Sequence, residues 1–424
     1  ISLSSDLCPE MREYFRASTT AVNGVVLPIV NRYVEQLDRR LSQLGVGVEL
    51  HLMTSAGGVI SSKIARREPV HLIESGPAAG IIAATAIGEL AGIDNLISFD
   101  MGGTTAKAGL VEGGTPRIAA DFEVGSAAVA ESKGAGYPVR SPVVDLVEIG
   151  AGGGSIAWID AGGALRVGPQ SAGADPGPAC YGGGQQDPCV TDANLLLGRI
   201  NAEYFIGGEQ QLRTELAEEA VSRVAHRLGK SLVETAHGII EIANANMVGA
   251  LRLVSVQRGF DPRDFVIVAY GGAGPMHANA LARELQAQKV LIPPSPGVTS
   301  ALGCTIADMR HDFVQTLNCL LDNLDVEDLA RRFTEQAKVG ALLLEEARVT
   351  FMEQINLLEL DMSYLGQTHT VEVPIPTIQD NNGNITISYN EIEVAFINRY
   401  KAVFGNPLSG IPIRVLNFKV AVIG

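Results

Sequence analysis

Short apolar runs that end in clustered glycines recur through the first three-quarters of the chain, and they set its expected architecture. Residues 10–45 carry apolar side chains at helical spacing, with Pro28 expected to kink or break the helix and Gly45 to stop it. Val48–Met53 alternates as a strand and runs into the small-residue turn Thr54–Gly58. Glu74-Ser75-Gly76-Pro77 then opens a helix over Ala78–Leu90. Next, Leu96–Phe99 reads as a strand that ends in Asp100 and turns through Gly102-Gly103-Thr104-Thr105. A second apolar run, Ala108–Val111, returns toward Gly113 and Gly114.

Residues 121–200 are the least regular, with glycine- and proline-rich loops at Gly150–Ser155 and Ser171–Gly182. Helical patterns resume over Gly208–Leu228 and Ser231–Gln257, the latter stopped by Gly259 and Pro262. Phe265–Tyr270 reads as a buried strand, followed by the turn Gly271-Gly272-Ala273-Gly274-Pro275, a helix over Met276–Ala287 and a strand at Val290–Ile292. After Asp312 the character changes. A helix over residues 325–347 precedes alternating strands at Gln354–Met362, Thr368–Val373, Ile385–Tyr389 and Val415–Ile423, with Asp380–Gly383 a turn. The expected division is an α/β unit over residues 1–315 and a C-terminal α+β domain over 316–424.

The 424 residues allow two or three domains and a substantial core. A net charge of −15 with no basic block argues against nucleic acid as the main partner. No run approaches the length of a membrane span; Ile81–Ile93 is the most apolar stretch and is too short. The five cysteines, Cys8, Cys180, Cys189, Cys304 and Cys319, form no CxxC pair, so reduced thiols of a cytoplasmic protein are expected.

Several chemical motifs fail on context. Gly229-Lys230-Ser231 ends like a P-loop, but Val224 stands where the first glycine belongs. Gly150–Ser155 resembles a dinucleotide fingerprint, yet the strand-like Ile156–Ile159 follows where a helix is needed. The seven histidines show no metal spacing, and His277 reads as a packed or capping residue. Cys180 has no local histidine to activate it as a nucleophile.

Two glycine turns survive, Asp100–Thr105 and Gly271–Pro275, each after a buried strand. Such turns bring backbone N–H groups close to phosphate oxygens, and the helix from Met276 adds a favourable N-terminus. Nucleotide binding is the leading expectation.

At these residues the chain resembles the actin, sugar-kinase and chaperone ATPases (a ribonuclease H-like fold). More closely, it resembles the hydantoinase A and 5-oxoprolinase family, which includes the ATP-binding subunits of acetone and acetophenone carboxylases. The matching segments are Leu52–Gly58, Glu74–Gly80, Phe99–Leu110, Val144–Asp160, Arg166–Gly182, Tyr270–Ala278, Pro293–Gly303 and Tyr364–Gln367.

The resemblance implies ATP-dependent ring opening of a cyclic amide such as a hydantoin or 5-oxoproline. The alternative it allows is the ATP-binding subunit of an acetone- or acetophenone-type carboxylase, and a further one is a nucleotide-binding module without turnover. By the same resemblance Gly102, Gly103, Thr104 and Thr105 would cradle phosphates, with Thr104 and Thr105 catalytic beside Asp100. Asp100 would also face Mg²⁺. Gly271, Gly272, Ala273 and Gly274 would pack on adenosine, and Lys107, an acid in many relatives, would neutralise phosphate or face solvent. A hydantoinase B-type subunit is the expected partner, and a homo-oligomer is compatible with it. The superfamily uses a first phosphate loop of the same kind, and only the Asp100 copy occurs here. With Ile1 in the first position, the chain is expected to begin after the lobe that carries the other.

Overall fold

The structure, a computed structural model, describes residues 1–125, 136–347, 349–376, 378–379 and 384–424. The expected turn at Asp380–Gly383 lies outside the described residues. A short helix α1 (Ser4–Leu7) leads into α2 (Glu13–Gln43), which runs through Pro28 as one helix and ends before Gly45. The hairpin β1 (His51–Met53) and β2 (Val59–Ser61) follows, then α3 (Ser62–Arg67) and α4 (Ser75–Leu90).

Alternation then divides two faces. In β3 (Leu96–Met101) and β4 (Ala106–Glu112), Ile97, Phe99, Met101, Ala106, Ala108 and Leu110 share one core, whereas Leu96 belongs with α4. After β5 (Thr115–Pro116), the stretch expected to be irregular holds paired strands: β6 (Ile118–Val124), β7 (Tyr137–Val144), β8 (Leu146–Ile149), β9 (Ser155–Ile159), which contains the strand-like Ile156–Ile159, and β10 (Leu165–Ser171). Glycine and proline density masked their short alternations; β6 pairs β7 and β9 pairs β10, both antiparallel.

Helices α5 (Val190–Leu196), α6 (Thr214–Leu228) and α7 (Leu232–Val254) come next. Ser231 and Glu234 close a capping box at the start of α7. The stretch Leu232–Arg258 is long and apolar enough to cross a membrane by length and composition, which the sequence reading did not anticipate. Here its Ile239, Ile240, Ala243, Met247 and Leu251 are buried in the main core.

Strand β11 (Val266–Tyr270), α8 (Gly274–Leu285), β12 (Val290–Leu291) and α9 (Thr299–Ile306) complete the first part. The central sheet has the order β12-β11-β3-β4-β5, with β8 also on β4. Strands β12, β11 and β3 are parallel, and β4 is antiparallel to β3. Helices α7 and α8 cover one face and α4 the other, a three-layer α/β/α arrangement.

The last part holds β13 (Arg310–Leu320), α10 (Val326–Glu346), β14 (Ile355–Tyr364), β15 (Val371–Ile375), β16 (Ile378–Gln379), β17 (Ile385–Thr386), α11 (Tyr389–Phe404) and β18 (Ile413–Ile423). Its sheet runs β13-β18-β14-β15, all antiparallel, and residues 315 and 316 both lie within β13. Phe333, Phe396, Phe418, Leu360 and Val420 form its core. The strand expected through Tyr389 stops at Thr386. Ser388 and Glu391 exchange capping hydrogen bonds and start α11 at Tyr389 instead.

Candidate nucleotide site

Parallel strands that lie side by side bring their C-terminal ends together, and ligands of open α/β sheets collect there. Strands β3 and β11 do this, with Tyr270 opposite Asp100, so the turns after them are adjacent. Gly271 has φ +79° and sits so close to β3 that a Cβ on it would lie 2.3 Å from the Asp100 carboxylate and 2.5 Å from the Met101 carbonyl. The Ala273 amide donates to that Met101 carbonyl at 2.9 Å. The two glycine turns predicted from sequence form one structure.

The phosphate-type turn is short. Met101 pairs with Ala106, and the Gly102 amide donates to the Thr105 carbonyl at 3.1 Å. Gly103 and Thr104 are exposed, and a Cβ at 102 or 103 would meet nothing within 4 Å. Among the described residues, the amides of Gly103, Thr104 and Thr105 donate to no protein acceptor. Three consecutive free N–H groups in a glycine turn form a concavity suited to an anion.

A third glycine segment braces the turn from behind. The Gly153 amide donates to the Gly102 carbonyl at 3.0 Å and the Gly154 amide to the Gly103 carbonyl at 2.6 Å. A Cβ on Gly152 would lie 2.6 Å from the Gly103 carbonyl group, so the segment tolerates no side chain there. The Ala172 amide in turn bonds the Gly154 carbonyl at 2.9 Å. Buried Asp192 holds the far end of that loop by accepting from the amides of Ala179, Cys180 and Cys189 at 3.2, 2.8 and 2.8 Å. Burial and the neighbouring Asp192 charge push the Cys180 thiol far above its ordinary range, the opposite of an activated nucleophile. Asp145 is engaged in a bidentate pair with Arg258.

Asp100 and Lys107 are register partners, and Lys107 is in turn opposite Glu148 on β8. These three charges form a row on the α4 side of the sheet. Burial pushes the Asp100 carboxyl above the usual aspartate range, opposed by the Lys107 charge and a hydrogen bond from Ser300 on α9. Lys107 pairs with Glu74 at 3.1 Å and Glu148 at 3.5 Å. The sequence pointed to Asp100 and Lys107 but assigned no role to Glu74, Glu148 or Ser300. All three stand in the matching segments, but nothing in a linear pattern places Glu74 and Glu148 beside Lys107.

Behind the second turn, fully buried His277 bonds Asn244 Oδ1 through Nδ1 at 2.7 Å and Asn194 Nδ2 through Nε2 at 3.3 Å. An amide oxygen only accepts, so Nδ1 carries the proton and the ring is neutral. Burial, then the Arg199 charge, lowers its pKa to about 4. It ties α5, α7 and α8 together, as a packed histidine should.

No group of three or more His, Cys, Asp or Glu side chains among the described residues is placed to hold a metal ion. A Mg²⁺ ion brought with phosphates needs only one or two carboxylates, and Asp100 beside the free amides fits that role. A separate cavity of about 750 Å³ lies elsewhere, between α3, β7 and the last sheet, with Glu68, Arg140, His311, Glu359 and Lys419 among its walls. It touches neither glycine turn, so the backbone geometry identifies the site better than the hollow does.

The profile of the hydantoinase/oxoprolinase family matches residues 16–313. An uncharacterized protein of Methanocaldococcus jannaschii is 42% identical over 99% of this chain and 60% of its own length. Caprolactamase subunit alpha of Pseudomonas jessenii is 35% identical over 99% of this chain and 59% of its own. The acetophenone carboxylase gamma subunit of Aromatoleum aromaticum is 28% identical over 97% and 56%. The crystal structure of the ATP-dependent caprolactamase from Pseudomonas jessenii superposes with a TM-score of 0.79 at 34% identity, covering all of this chain and 60% of that one. The chain thus spans about three-fifths of the length of these relatives. With the matched segment containing both glycine turns, this chain belongs to the hydantoinase/oxoprolinase family.

Proposed function

We propose that the paired glycine turns bind ATP and that the chain serves ATP-dependent hydrolysis of a cyclic amide. The observation that carries this reading is the junction of the turns: three free amides at Gly103–Thr105 directly beside Gly271 and Asp100. The fold reading is that of an actin-like ATPase lobe, residues 1–315, followed by an α+β domain.

In this reading the amides of Gly103, Thr104 and Thr105 hold phosphate oxygens, and the Thr104 and Thr105 hydroxyls are at hand to add to them. Gly272 and Gly274, whose amides are also free among the described residues, let the adenosine moiety approach α8 closely. Asp100 would hold the Mg²⁺ that accompanies the phosphates. Ser300 and Lys107 keep its carboxylate in place. The chemistry supplied by bound ATP would be phosphorylation of an amide oxygen, which removes the resonance that protects a lactam from water. One Asp-x-Gly-Gly-Thr turn makes half of a phosphate clamp, and we propose that a second lobe of the same kind completes it.

The substrate class follows the better identity to a caprolactamase subunit than to a carboxylase subunit. Names of these relatives as subunits support a partner, and we propose a hydantoinase B-type subunit.

Calorimetry with Mg-ATP and Mg-ADP tests the site, with Gly272→Val as the control. An added Cβ at 272 meets nothing within 4 Å, so this variant should fold and lose nucleotide. ADP release by the chain together with its partner subunit and any second lobe should then depend on a lactam or hydantoin. Dependence on a ketone with bicarbonate would move the assignment to a carboxylase. Nucleotide binding without any substrate-dependent ADP would make it a non-catalytic module.

A further inference from the structure

Glu74 adopts a backbone conformation that glutamate rarely takes. Its φ and ψ are 67° and 16°, in the left-handed region, where a residue with a Cβ is strained. Other non-glycine residues with positive φ include Gln286, which caps the end of α8, and Asn318, a residue type that tolerates this region, at a register shift in β13. Glu74 stands at the N-cap of α4 but makes no side-chain capping bond, so helix capping does not offset its strain. What its conformation does secure is a contact. The Glu74 carboxylate accepts from Lys107 Nζ at 3.1 Å, and Glu148 approaches the same ammonium at 3.5 Å.

Lys107 lies two residues beyond Thr105, so its flexible stem is long enough to swing toward the phosphate turn. Two carboxylates instead engage its ammonium over the α4 face of the sheet, with the Lys107 side chain only 19% exposed. Four charges stand together there: Asp100, Glu74 and Glu148 against Lys107. Their sum of −2 adjoins a turn that attracts an anion through neutral groups, its backbone amides and the Thr104 and Thr105 hydroxyls. A metal-free polyphosphate meets that negative field with the Lys107 ammonium held away by its two carboxylates, whereas a magnesium complex brings its own cation.

We infer that Glu74 is a positioning residue: with Glu148 it clamps the Lys107 ammonium over the sheet, so that the phosphate turn accepts nucleotide as its magnesium complex rather than as the free anion. This rests on the reading that the turn binds nucleotide. Lys107 is then a fixed charge beside Asp100 and not a ligand of the phosphates.

The test measures ATP affinity with excess Mg²⁺ and with EDTA, by calorimetry, in the parent chain, Glu74→Gln, Lys107→Met and the double variant, with thermal melts of these and of Glu74→Gly. The parent should bind Mg-ATP far more tightly than free ATP. Glu74→Gln removes one negative charge and the nearer of the two carboxylates that hold Lys107, so free ATP should bind about tenfold more tightly and the magnesium dependence should shrink. In the Lys107→Met background the same change should give only about a twofold gain, since no ammonium is left to release. Glu74→Gly relieves the backbone strain, so its melting temperature should hold or rise by about 2 °C.

A parent and Glu74→Gln with the same magnesium dependence would overturn the clamp while leaving nucleotide binding intact. So would equal gains from Glu74→Gln in both backgrounds, or a fall of more than about 4 °C in Glu74→Gly, which would mark Glu74 as a structural anchor. A parent that binds no Mg-ATP would overturn the nucleotide reading and the clamp together.

Discussion

Replacing Gly271 by alanine tests whether the two turns form one rigid unit. The position has φ +79°, where alanine costs about 1 kcal/mol more than glycine. The new Cβ would stand 2.3 Å from Asp100 Oδ1, 2.5 Å from the Met101 carbonyl oxygen and 2.8 Å from the Met101 nitrogen. The carboxylate can swing away, but the backbone of a central strand cannot, and overpacking of this kind costs about 1–3 kcal/mol. The same Met101 carbonyl accepts from Ala273, so pushing β3 aside also strains a bond worth about 1 kcal/mol. The sum is about 3–5 kcal/mol, or about 5–8 °C in melting temperature for a unit of this size. Gly272→Ala supplies the control. Its Cβ meets nothing within 4 Å, and its backbone needs no positive φ, so it should melt within about 1 °C of the parent. Thermal melts followed by circular dichroism, with and without Mg-ATP, read both effects. Equal melting of Gly271→Ala and Gly272→Ala would refute the contact between the turns, and with it the shared site.

Three further outcomes follow from the packing around the site. Gly303→Ala should fail to give soluble folded protein, because its Cβ would lie 1.8 Å from the Ala79 carbonyl oxygen where α9 crosses α4; a normal melt would show that the helices separate easily. Asp192→Ala should cost about 2–4 kcal/mol and speed hydrogen exchange at Ala179, Cys180 and Cys189, whose amides lose their buried acceptor; unchanged exchange there would contradict the assignment. His277 is neutral in the folded chain with a pKa of about 4, below its unfolded value, so the unfolded chain takes up protons first as pH falls. Stability should therefore be full above about pH 6.5 and decline by about 3 kcal/mol toward pH 4. Urea melts across that window should show the decline and a shallower one in His277→Gln; buried His311, also lowered by burial, contributes to the same limb and leaves a residue of it. A pH-independent parent would refute the buried neutral imidazole.

Local sequence determined the parts of this protein whose chemistry is local. The strand ending at Asp100, the glycine turn and the returning strand were legible because alternation and φ-permissive residues act over a few positions. The same holds for β11, its glycine turn and α8. Helix α11 was legible in principle, from Ser388 and Glu391, but the alternating Ile385 and Ile387 drew the reading toward a strand. Strand β13 escaped because the charged Arg310 and Asp312 open it and Gln315 interrupts the apolar spacing of Phe313, Leu317 and Cys319, which pack against the core of the last sheet.

Only the tertiary structure decided what stands beside what. The parallel pairing of β3 with β11 joins two turns about 170 residues apart, and no pattern in either strand specifies that neighbour. The bracing of Gly102 and Gly103 by Gly153 and Gly154, and the capture of Lys107 by Glu74 and Glu148, likewise arise from packing. Backbone conformation is written in short-range sterics, whereas the environment of Asp100 combines burial, the Lys107 charge on β4 and the Ser300 hydroxyl on α9, which meet only when the sheet is complete.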